Sequence, residues 1–109
     1  MVSNDPMSGD VCSAECPVRK TARIIEGKWT TLIIRELLAG SRRYSELQRS
    51  LDGISPKVLA ARLRFLAEQG LIKRRVYDTI PPTTEYTLTE KGSKFEQVIR
   101  AMASFGALL

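Results

Sequence analysis

The spacing of the apolar residues changes at Gly70, and this change limits the folds open to the chain more than any other feature. Before Gly70, leucines recur every three or four residues, which is typical of the buried face of a helix. After it, residues 71–78 and 85–88 have strand character, and two adjacent prolines lie between them. Because proline cannot donate to a ladder, these prolines belong at the exposed tip of a hairpin. The leucines that define the helix are Leu59, Leu63 and Leu66.

Three shorter helices are predicted before this leucine helix. The first covers residues 17–27, and the second covers about residues 28–39, where a broad apolar face predicts a central position in the core. The third opens at a capping box in which Ser45 caps the helix and Gln48 reaches back, and it ends at an Asp-Gly turn. Ser55 then caps the leucine helix. Closely spaced helices joined by a tight turn predict a helix-turn-helix.

A final helix is predicted after Thr89, so the order is four helices, a β-hairpin and one more helix. We therefore expect a mainly α chain with a small hairpin (α+β), a winged helix-turn-helix over residues 17–109. A flexible arm of residues 1–16 precedes it. The last helix carries more apolar surface than a terminal element of a monomer needs, which predicts a homodimer interface. Its apolar residues are Phe95, Val98, Ile99, Met102 and Phe105.

The chain has 109 residues and no histidine, which excludes Ser-His-Asp and Cys-His catalytic arrangements and zinc sites that contain histidine. No glycine-rich nucleotide-binding motif is present. We therefore predict that the protein is not an enzyme and needs no cofactor or metal. No apolar run approaches the roughly 18 residues of a membrane span, and the acidic N-terminus lacks the apolar core of a signal peptide. The expected location is cytoplasmic.

The positive charge is concentrated in the middle of the sequence. The net charge is +5, yet residues 17–75 hold 14 basic and 5 acidic side chains. Such a segment suits a polyanion, since each neutralised phosphate releases condensed counterions. Double-stranded DNA is therefore the expected partner. The alternative is a solvated surface that is basic without a nucleic-acid partner.

Candidate DNA-binding residues lie on two parts of the fold. On the leucine helix, the side opposite the leucines carries basic and small residues that could enter the major groove, with Arg64 placed to read guanine. The helix N-terminus favours a phosphate. These residues are Ser55, Lys57, Ala60, Ala61 and Arg64. The alternative is that Lys57 and Arg64 merely solvate an outer face.

Four further arginines are candidates for contact with phosphates. Arg42 and Arg43 precede the third helix, and Arg74 and Arg75 lie on the first strand of the wing. Strand alternation sends Arg74 to one face of the hairpin and Arg75 to the other. Lys73 points the same way as Arg75, so the three basic residues of this strand cannot all face DNA, and some must be solvated or paired. The tip, residues 79–83, has no basic residue.

Six segments occur in a recognisable order between residues 16 and 107. They are CPV at 16–18, EGKWT at 26–30, IRELL at 34–38, RYSEL at 43–47, ISPKVL at 54–59 and EYTLT at 85–89. In this order and spacing they resemble the HxlR-type transcription regulators of bacteria, relatives of the MarR group. The resemblance implies a homodimer that binds an inverted-repeat operator and is built from its first and last helices. For some members it also implies that the cysteine before Pro17 senses oxidants or electrophiles.

Two cysteines bear on that last implication. Cys16 directly precedes a helix, where the helix dipole and the nearby Arg19 and Lys20 stabilise a thiolate. Cys12 lies outside the shared motif and is close enough in sequence to resolve an oxidised Cys16 if the arm bends. The alternatives are an inert thiol near an interface and, less favoured, a pair of metal ligands.

The leading hypothesis is thus a sequence-specific DNA-binding regulator controlled by oxidation or electrophile modification of Cys16. One alternative is a winged-helix module that binds proteins and does not recognise a DNA sequence. Another is a regulator that responds to a small ligand instead of thiol chemistry.

Overall fold

The computed structural model describes residues 16–109, and its helices and strands follow the predicted order, except that one strand is added and the final helix is divided in two. The predicted arm therefore lies outside the described residues except for Cys16. None of the described helices is long and apolar enough to cross a membrane. The elements are α1 (Pro17–Ile25), α2 (Trp29–Leu38), β1 (Arg42–Arg43), α3 (Tyr44–Ser50), α4 (Pro56–Glu68), β2 (Ile72–Tyr77), β3 (Thr83–Leu88), α5 (Glu90–Ser93) and α6 (Glu96–Gly106).

The start and end of α4 follow from local sequence chemistry. The Ser55 hydroxyl accepts a hydrogen bond of 3.1 Å from the backbone N–H of Val58, which satisfies one of the free donors at the helix N-terminus. Pro56 occupies the first helical position. Gly70 ends the helix with a positive φ of 77°, a conformation that glycine adopts without steric cost. The predicted boundaries of this helix are confirmed.

The hairpin is part of a three-stranded antiparallel sheet with the order β1-β3-β2. Strands β2 and β3 pair from Ile72 opposite Leu88 to Tyr77 opposite Thr83. Strand β1 has two residues, with Arg42 opposite Tyr86, and the sequence did not predict it. A strand this short has no alternating pattern that could reveal it.

The predicted capping box of α3 is wrong. Ser45 does not cap the helix, because β1 runs directly into α3 and makes Arg43 the N-cap. The backbone N–H of Arg43 donates a hydrogen bond of 2.8 Å to Oε1 of Glu46. Gln48 does not reach back either, since its Nε2 donates to the backbone oxygen of Ile54 at 2.6 Å. Gln48 thereby links α3 to the turn before α4.

The single final helix predicted after Thr89 is interrupted. Thr89 caps the short helix α5, and its hydroxyl accepts a hydrogen bond of 3.0 Å from the backbone N–H of Gly92. The chain then tightens, because Phe95 N–H donates to the Gly92 carbonyl across three residues instead of four. Helix α6 begins after this turn.

Helix α2 occupies the centre of the hydrophobic core, as its broad apolar face predicted. Helix α1 contributes less, since only its end packs there: Ile24 and Ile25 are half-buried, whereas Val18 is exposed. The buried core residues come from α2, α3, α4, the sheet and the turn before α6. They are Ile33, Ile34, Leu37, Leu47, Leu51, Ile54, Leu59, Leu63, Leu66, Leu71, Ile72, Tyr86 and Phe95.

Candidate nucleic-acid interface

Helix α4 buries its leucine face in the core and so presents its basic face to solvent. Leu59 and Leu63 are buried, while Lys57 and Arg64 are exposed. Between these two faces the side chains are short, since Ala60 and Ala61 are partly exposed alanines. The helix can therefore approach another surface closely along the side that carries Lys57 and Arg64.

A groove of about 560 Å³ separates α4 from the sheet. Arg64 of α4 and Arg74 of β2 both line it, so the fold brings together two cations that the sequence placed on different elements. Tyr86, which lies opposite Arg74 in the ladder, is buried. Paired residues of a sheet point to the same face, so Arg74 lies on the face that packs on the body. The remaining lining residues are Tyr44, Ala60, Leu63, Ala67, Thr84 and Tyr86.

The opposite face of the sheet carries Arg75 with an acidic neighbour. Glu85 is the ladder partner of both Arg43 and Arg75. The Tyr77 hydroxyl donates to Oε1 of Glu85 at 2.8 Å, and the Arg75 guanidinium lies 4.8 Å from the centre of the Tyr77 ring. The structure thus shows the predicted alternation, with Arg74 and Arg75 on opposite faces.

The charged neighbours on this outer face change the pKa of the Tyr77 hydroxyl. The hydrogen bond to the Glu85 carboxylate raises the pKa of the Tyr77 hydroxyl above its ordinary value, and desolvation adds to the effect. The positive charge of Arg75 opposes it. The sequence reasoning did not single out Glu85, because its position between Arg43 and Arg75 depends on strand register.

The other predicted DNA-binding residues surround the N-termini of α3 and α4. Arg42 is half-buried and its Nη1 donates to the backbone oxygen of Ser41 at 3.0 Å, whereas Arg43 is exposed. Ser55 is exposed at the start of α4. The Tyr44 hydroxyl donates to the backbone oxygen of Pro56 at 3.0 Å. This bond fixes the position of β1 and α3 relative to the start of α4.

The tip of the wing is held by hydroxyl groups. The Thr79 hydroxyl donates to the backbone oxygen of Pro81 at 2.7 Å and lies 2.9 Å from the Thr83 hydroxyl. Ile80 is fully exposed between them, and the Ile80–Pro81 peptide bond is cis. The tip therefore presents an apolar side chain and no positive charge.

The predicted redox and metal chemistry concerns the N-terminus. Cys16 is the N-cap of α1 and has a relative exposure of 4%, so its thiol is more buried than a helix N-terminus alone implies. Arg19 and Lys20 are exposed on the first turn of α1. Cys12 lies outside the described residues. Within residues 16–109, no group of three or more acidic, cysteine or histidine side chains could hold a metal.

The predicted dimer residues fall into two groups. Phe95 is buried, and Val98 and Ile99 are half-buried against the core of the same chain. Met102 and Phe105 lie further along α6 and are 41% and 63% exposed. Of the predicted dimer residues, only Met102 and Phe105 therefore leave apolar surface exposed to a partner chain, and we call them the distal part of α6. This surface continues into the exposed Leu108 and Leu109.

Comparisons with known proteins agree with this architecture. The model of the HxlR-like helix-turn-helix family matches residues 24–108. An uncharacterized HTH-type transcriptional regulator of Synechocystis sp. is 41% identical over 92 residues, covering 84% of this chain and 68% of that protein. Regulator YtfH of Escherichia coli is 32% identical over 104 residues, with 95% and 82% covered.

Two further solved structures, one of a redox regulator and one of a diamide-treated protein, are also similar. The redox regulator HypR in its oxidized form has a TM-score of 0.79 and 34% identity, covering 86% of this chain and 97% of that chain. Diamide-treated YodB from Bacillus subtilis has a TM-score of 0.72 and 32% identity, covering 89% and 97%. Both share the fold described above.

Proposed function

This chain belongs to the HxlR-like helix-turn-helix family of transcription regulators, and from that premise we propose that it acts as a homodimer on an inverted-repeat DNA operator. The family consists of regulators and not of enzymes, which agrees with the prediction from the missing histidines. DNA binding follows from the family. The residues that read the operator, the dimer and the controlling signal are proposals.

The observation that carries the proposal is the groove shared by Arg64 and Arg74. With α4 in the major groove, Arg64 reaches a base edge, where arginine pairs with guanine O6 and N7. The short Ala60 and Ala61 allow the helix to enter deeply. Arg74, across the groove, then contacts the backbone of the strand that passes between α4 and the wing.

Phosphate contacts flank this central pair. Arg42 and Arg43 lie at the start of α3, and Ser55 and Lys57 lie at the start of α4, where free backbone N–H groups attract an anion. Arg75 lies on the outer face with Glu85, so we assign it a weaker contact than Arg74. The six cations assigned to DNA contact are among the 14 basic side chains of residues 17–75.

The distal part of α6 supports the proposed homodimer. Met102 and Phe105 expose a continuous apolar stripe with Leu108 and Leu109, and a second copy related by a two-fold axis would bury it. Two recognition helices would then meet half-sites about 34–36 Å apart, one turn of the duplex. This geometry explains why the operator would be an inverted repeat.

The second proposed property is control by thiol oxidation at Cys16, supported by the similarity to HypR, described as a redox regulator. A peroxide would oxidise the Cys16 thiol to sulfenic acid and be reduced in the same step, after which a second thiol such as Cys12 would form a disulfide and release water. Because Cys16 is buried at the start of α1, this modification would displace α1 from the core.

Selection of bound fragments from random DNA by the pure protein, reduced and oxidised, tests the regulatory function. We expect one inverted repeat to be enriched, with affinity that falls steeply with salt. If no sequence is enriched and binding does not depend on salt, the protein-binding module becomes the better interpretation.

A further inference from the structure

A second basic groove lies between the first half of α4 and the turn that joins α1 to α2. Its volume is about 380 Å³. It shares no lining residue with the groove that contains Arg64 and Arg74, and neither of its two cations is among the predicted DNA-binding residues. The lining residues are Glu26, Gly27, Lys28, Trp29, Val58 and Arg62.

The two grooves lie on opposite flanks of α4. Arg62 and Arg64 are two residues apart, which corresponds to about 200° around a helix of 3.6 residues per turn. Arg64 lines the groove towards the sheet together with Ala60, whereas Arg62 lines the second groove together with Val58. A partner that receives the exposed side of α4 would therefore meet a cation on each side of the helix.

The two cations of the second groove are not neutralised by an ion pair. Lys28 is exposed and Arg62 is half-buried, and within residues 16–109 neither forms an ion pair with a carboxylate. Glu26 contributes one negative charge to the lining, against the two positive charges, so the net charge of the groove is +1. The groove therefore has a cation available for an anionic partner.

Trp29 holds the Lys28 ammonium at the groove. The Nζ atom of Lys28 lies 4.5 Å from the centre of the Trp29 ring, and the attraction between a cation and the face of an indole restricts the lysine side chain. An ammonium has three donors, so those directed away from the ring can still donate to an anion. The lysine is thus partly ordered before a partner arrives.

The dimensions of DNA place a phosphate backbone beside this groove. The major groove is about 12 Å wide and a helix with its side chains is about 10–12 Å across. A helix that enters the major groove therefore fills it, and the two backbones pass along its two flanks. Arg74 is assigned to the backbone on the side of the wing, which leaves the other backbone without an assigned contact beside α4.

We propose that Lys28 and Arg62 bind a phosphate of this second DNA backbone, on the flank of α4 opposite Arg74. The planar guanidinium of Arg62 can donate two parallel hydrogen bonds to a phosphate, and the Lys28 ammonium adds a second charge. This inference rests on the proposed DNA-binding function and adds a site to it. Contacts on both flanks would fix the depth and tilt of α4 in the groove, since phosphate contacts position a protein on the duplex.

A solvated groove in which Glu26 offsets the charge of Arg62 is the competing interpretation. The two residues line the same groove, yet no ion pair joins them in the part of the chain that the structure describes. In that case the loss of either cation would change the affinity for DNA no more than the loss of a distant surface charge.

The salt dependence of DNA binding tests the site. Fluorescence anisotropy uses a labelled duplex of mixed sequence and about 30 base pairs, three helical turns, because a phosphate contact acts on every sequence. Lys28→Gln and Arg62→Gln should each weaken binding about tenfold. Each should also make the fall of log affinity with log salt less steep, by about one unit of slope for each protomer bound. Arg62→Lys should retain the slope of the parent, because it keeps the charge.

Trp29 provides a second readout, since it is the single tryptophan of the chain. A backbone that covers the groove should protect Trp29 from the neutral quencher acrylamide. We therefore expect the duplex to lower the acrylamide quenching of tryptophan fluorescence in the parent protein. This measurement reports on the groove itself and not on the overall affinity.

Arg100→Gln is the matched control, since it removes one positive charge from α6 at a residue that does not line the groove. Circular dichroism confirms that each variant is folded. The proposal is overturned if Lys28→Gln and Arg62→Gln keep the slope of the parent, if Arg100→Gln lowers the slope as much as they do, or if the duplex leaves the quenching of Trp29 unchanged. A parent protein whose duplex binding does not depend on salt would instead contradict the proposed regulatory function, and this site would fall with it.

Discussion

The Tyr77 hydroxyl donates a hydrogen bond of 2.8 Å to Oε1 of Glu85 and so connects the two long wing strands across their outer face. Glu85 also lies between Arg43 and Arg75 in the sheet. The carboxylate therefore fixes the tyrosine and offsets the charge of two arginines. This arrangement leaves Arg74, on the other face, as the wing cation directed towards α4.

The pKa of Tyr77 tests this arrangement. Glu85→Gln should lower it towards the ordinary tyrosine value, because the largest cause of its elevation is the hydrogen bond to the carboxylate. Since the raised pKa favours the protonated tyrosine in the folded state, the associated stability is present below the ordinary pKa and is lost as the pH rises through the raised value. Ultraviolet titration of the parent and of Glu85→Gln, each compared with the same protein carrying Tyr77→Phe, separates the titration of Tyr77 from that of the other two tyrosines. An unchanged Tyr77 pKa would contradict the assigned cause.

Arg64 is predicted to discriminate between bases. Arg64→Ala should cost about 1–3 kcal/mol of binding free energy on the selected operator and relax the preference at one or two base pairs. Fluorescence anisotropy with the operator and with random duplexes measures both effects. Arg100→Ala, which changes the same charge on α6, is the control. An equal loss on random DNA would make Arg64 a phosphate contact.

Arg74 is predicted to contact a phosphate. Arg74→Ala should weaken binding to all sequences. It should also make the fall of log affinity with log salt less steep, by about one unit of slope. Arg75→Ala should change this slope less, because Arg75 lies on the outer face with Glu85. A larger effect of Arg75→Ala would reverse the assignment of the two faces.

Gly92 is predicted to be intolerant of any side chain. A Cβ there would overlap the backbone oxygen of Leu71 and lie 3.1 Å from Cδ2 of Leu88. Gly92→Ala should therefore lower the free energy of unfolding by about 1–3 kcal/mol, the usual cost of overpacking. Gly106→Ala is the control, since its Cβ would meet nothing within 4 Å. Urea unfolding of both variants gives the comparison, and equal stabilities would show that α5 can move away from the backbone of Leu71.

The sequence-based predictions failed where a local backbone hydrogen bond or the register of the strands decides the structure. Apolar periodicity located every helix of the core and both long strands, because burial repeats along those elements. It did not locate the break between α5 and α6, where the Phe95 N–H donates to the Gly92 carbonyl across three residues instead of four. Nor could it find β1 or the position of Glu85 between two arginines, since both depend on strand register. The sequence identified Arg64 and Arg74 separately. That they line one groove follows from the tertiary packing of α4 on the sheet, which periodicity does not report.

The distal part of α6 is predicted to hold the dimer together. Phe105→Lys should convert the dimer to a monomer at micromolar concentration, because it places a charge in a surface that the second copy would bury. Analytical ultracentrifugation measures the change. Ile80→Lys is the control, since Ile80 is fully exposed at the wing tip. A Phe105→Lys protein that remains dimeric would exclude this interface.

Cys16 is predicted to carry the response to oxidants. Cys16→Ser should bind the operator like the reduced parent and should no longer respond to peroxide or diamide, whereas Cys12→Ser should still be modified at Cys16. Because Cys16 is 4% exposed, its reaction requires local opening at the start of α1, so the rate of modification should rise in mild denaturant. Anisotropy measurements with and without oxidant, with mass spectrometry of each thiol, test both expectations.

The parent treated with oxidant and then with a thiol reductant is the control for this experiment, since reversal of the modification should restore the original affinity.

Displacement of α1 would link the modified thiol to DNA binding. Ile24 and Ile25 pack the end of α1 against the core, and a shift there would change the spacing of the two recognition helices. Base contacts must meet the groove in register, so even a shift of about 1–2 Å changes affinity. If Cys16→Ser still responds to oxidant as the parent does, Cys16 is a buried structural residue and the response does not pass through its thiol.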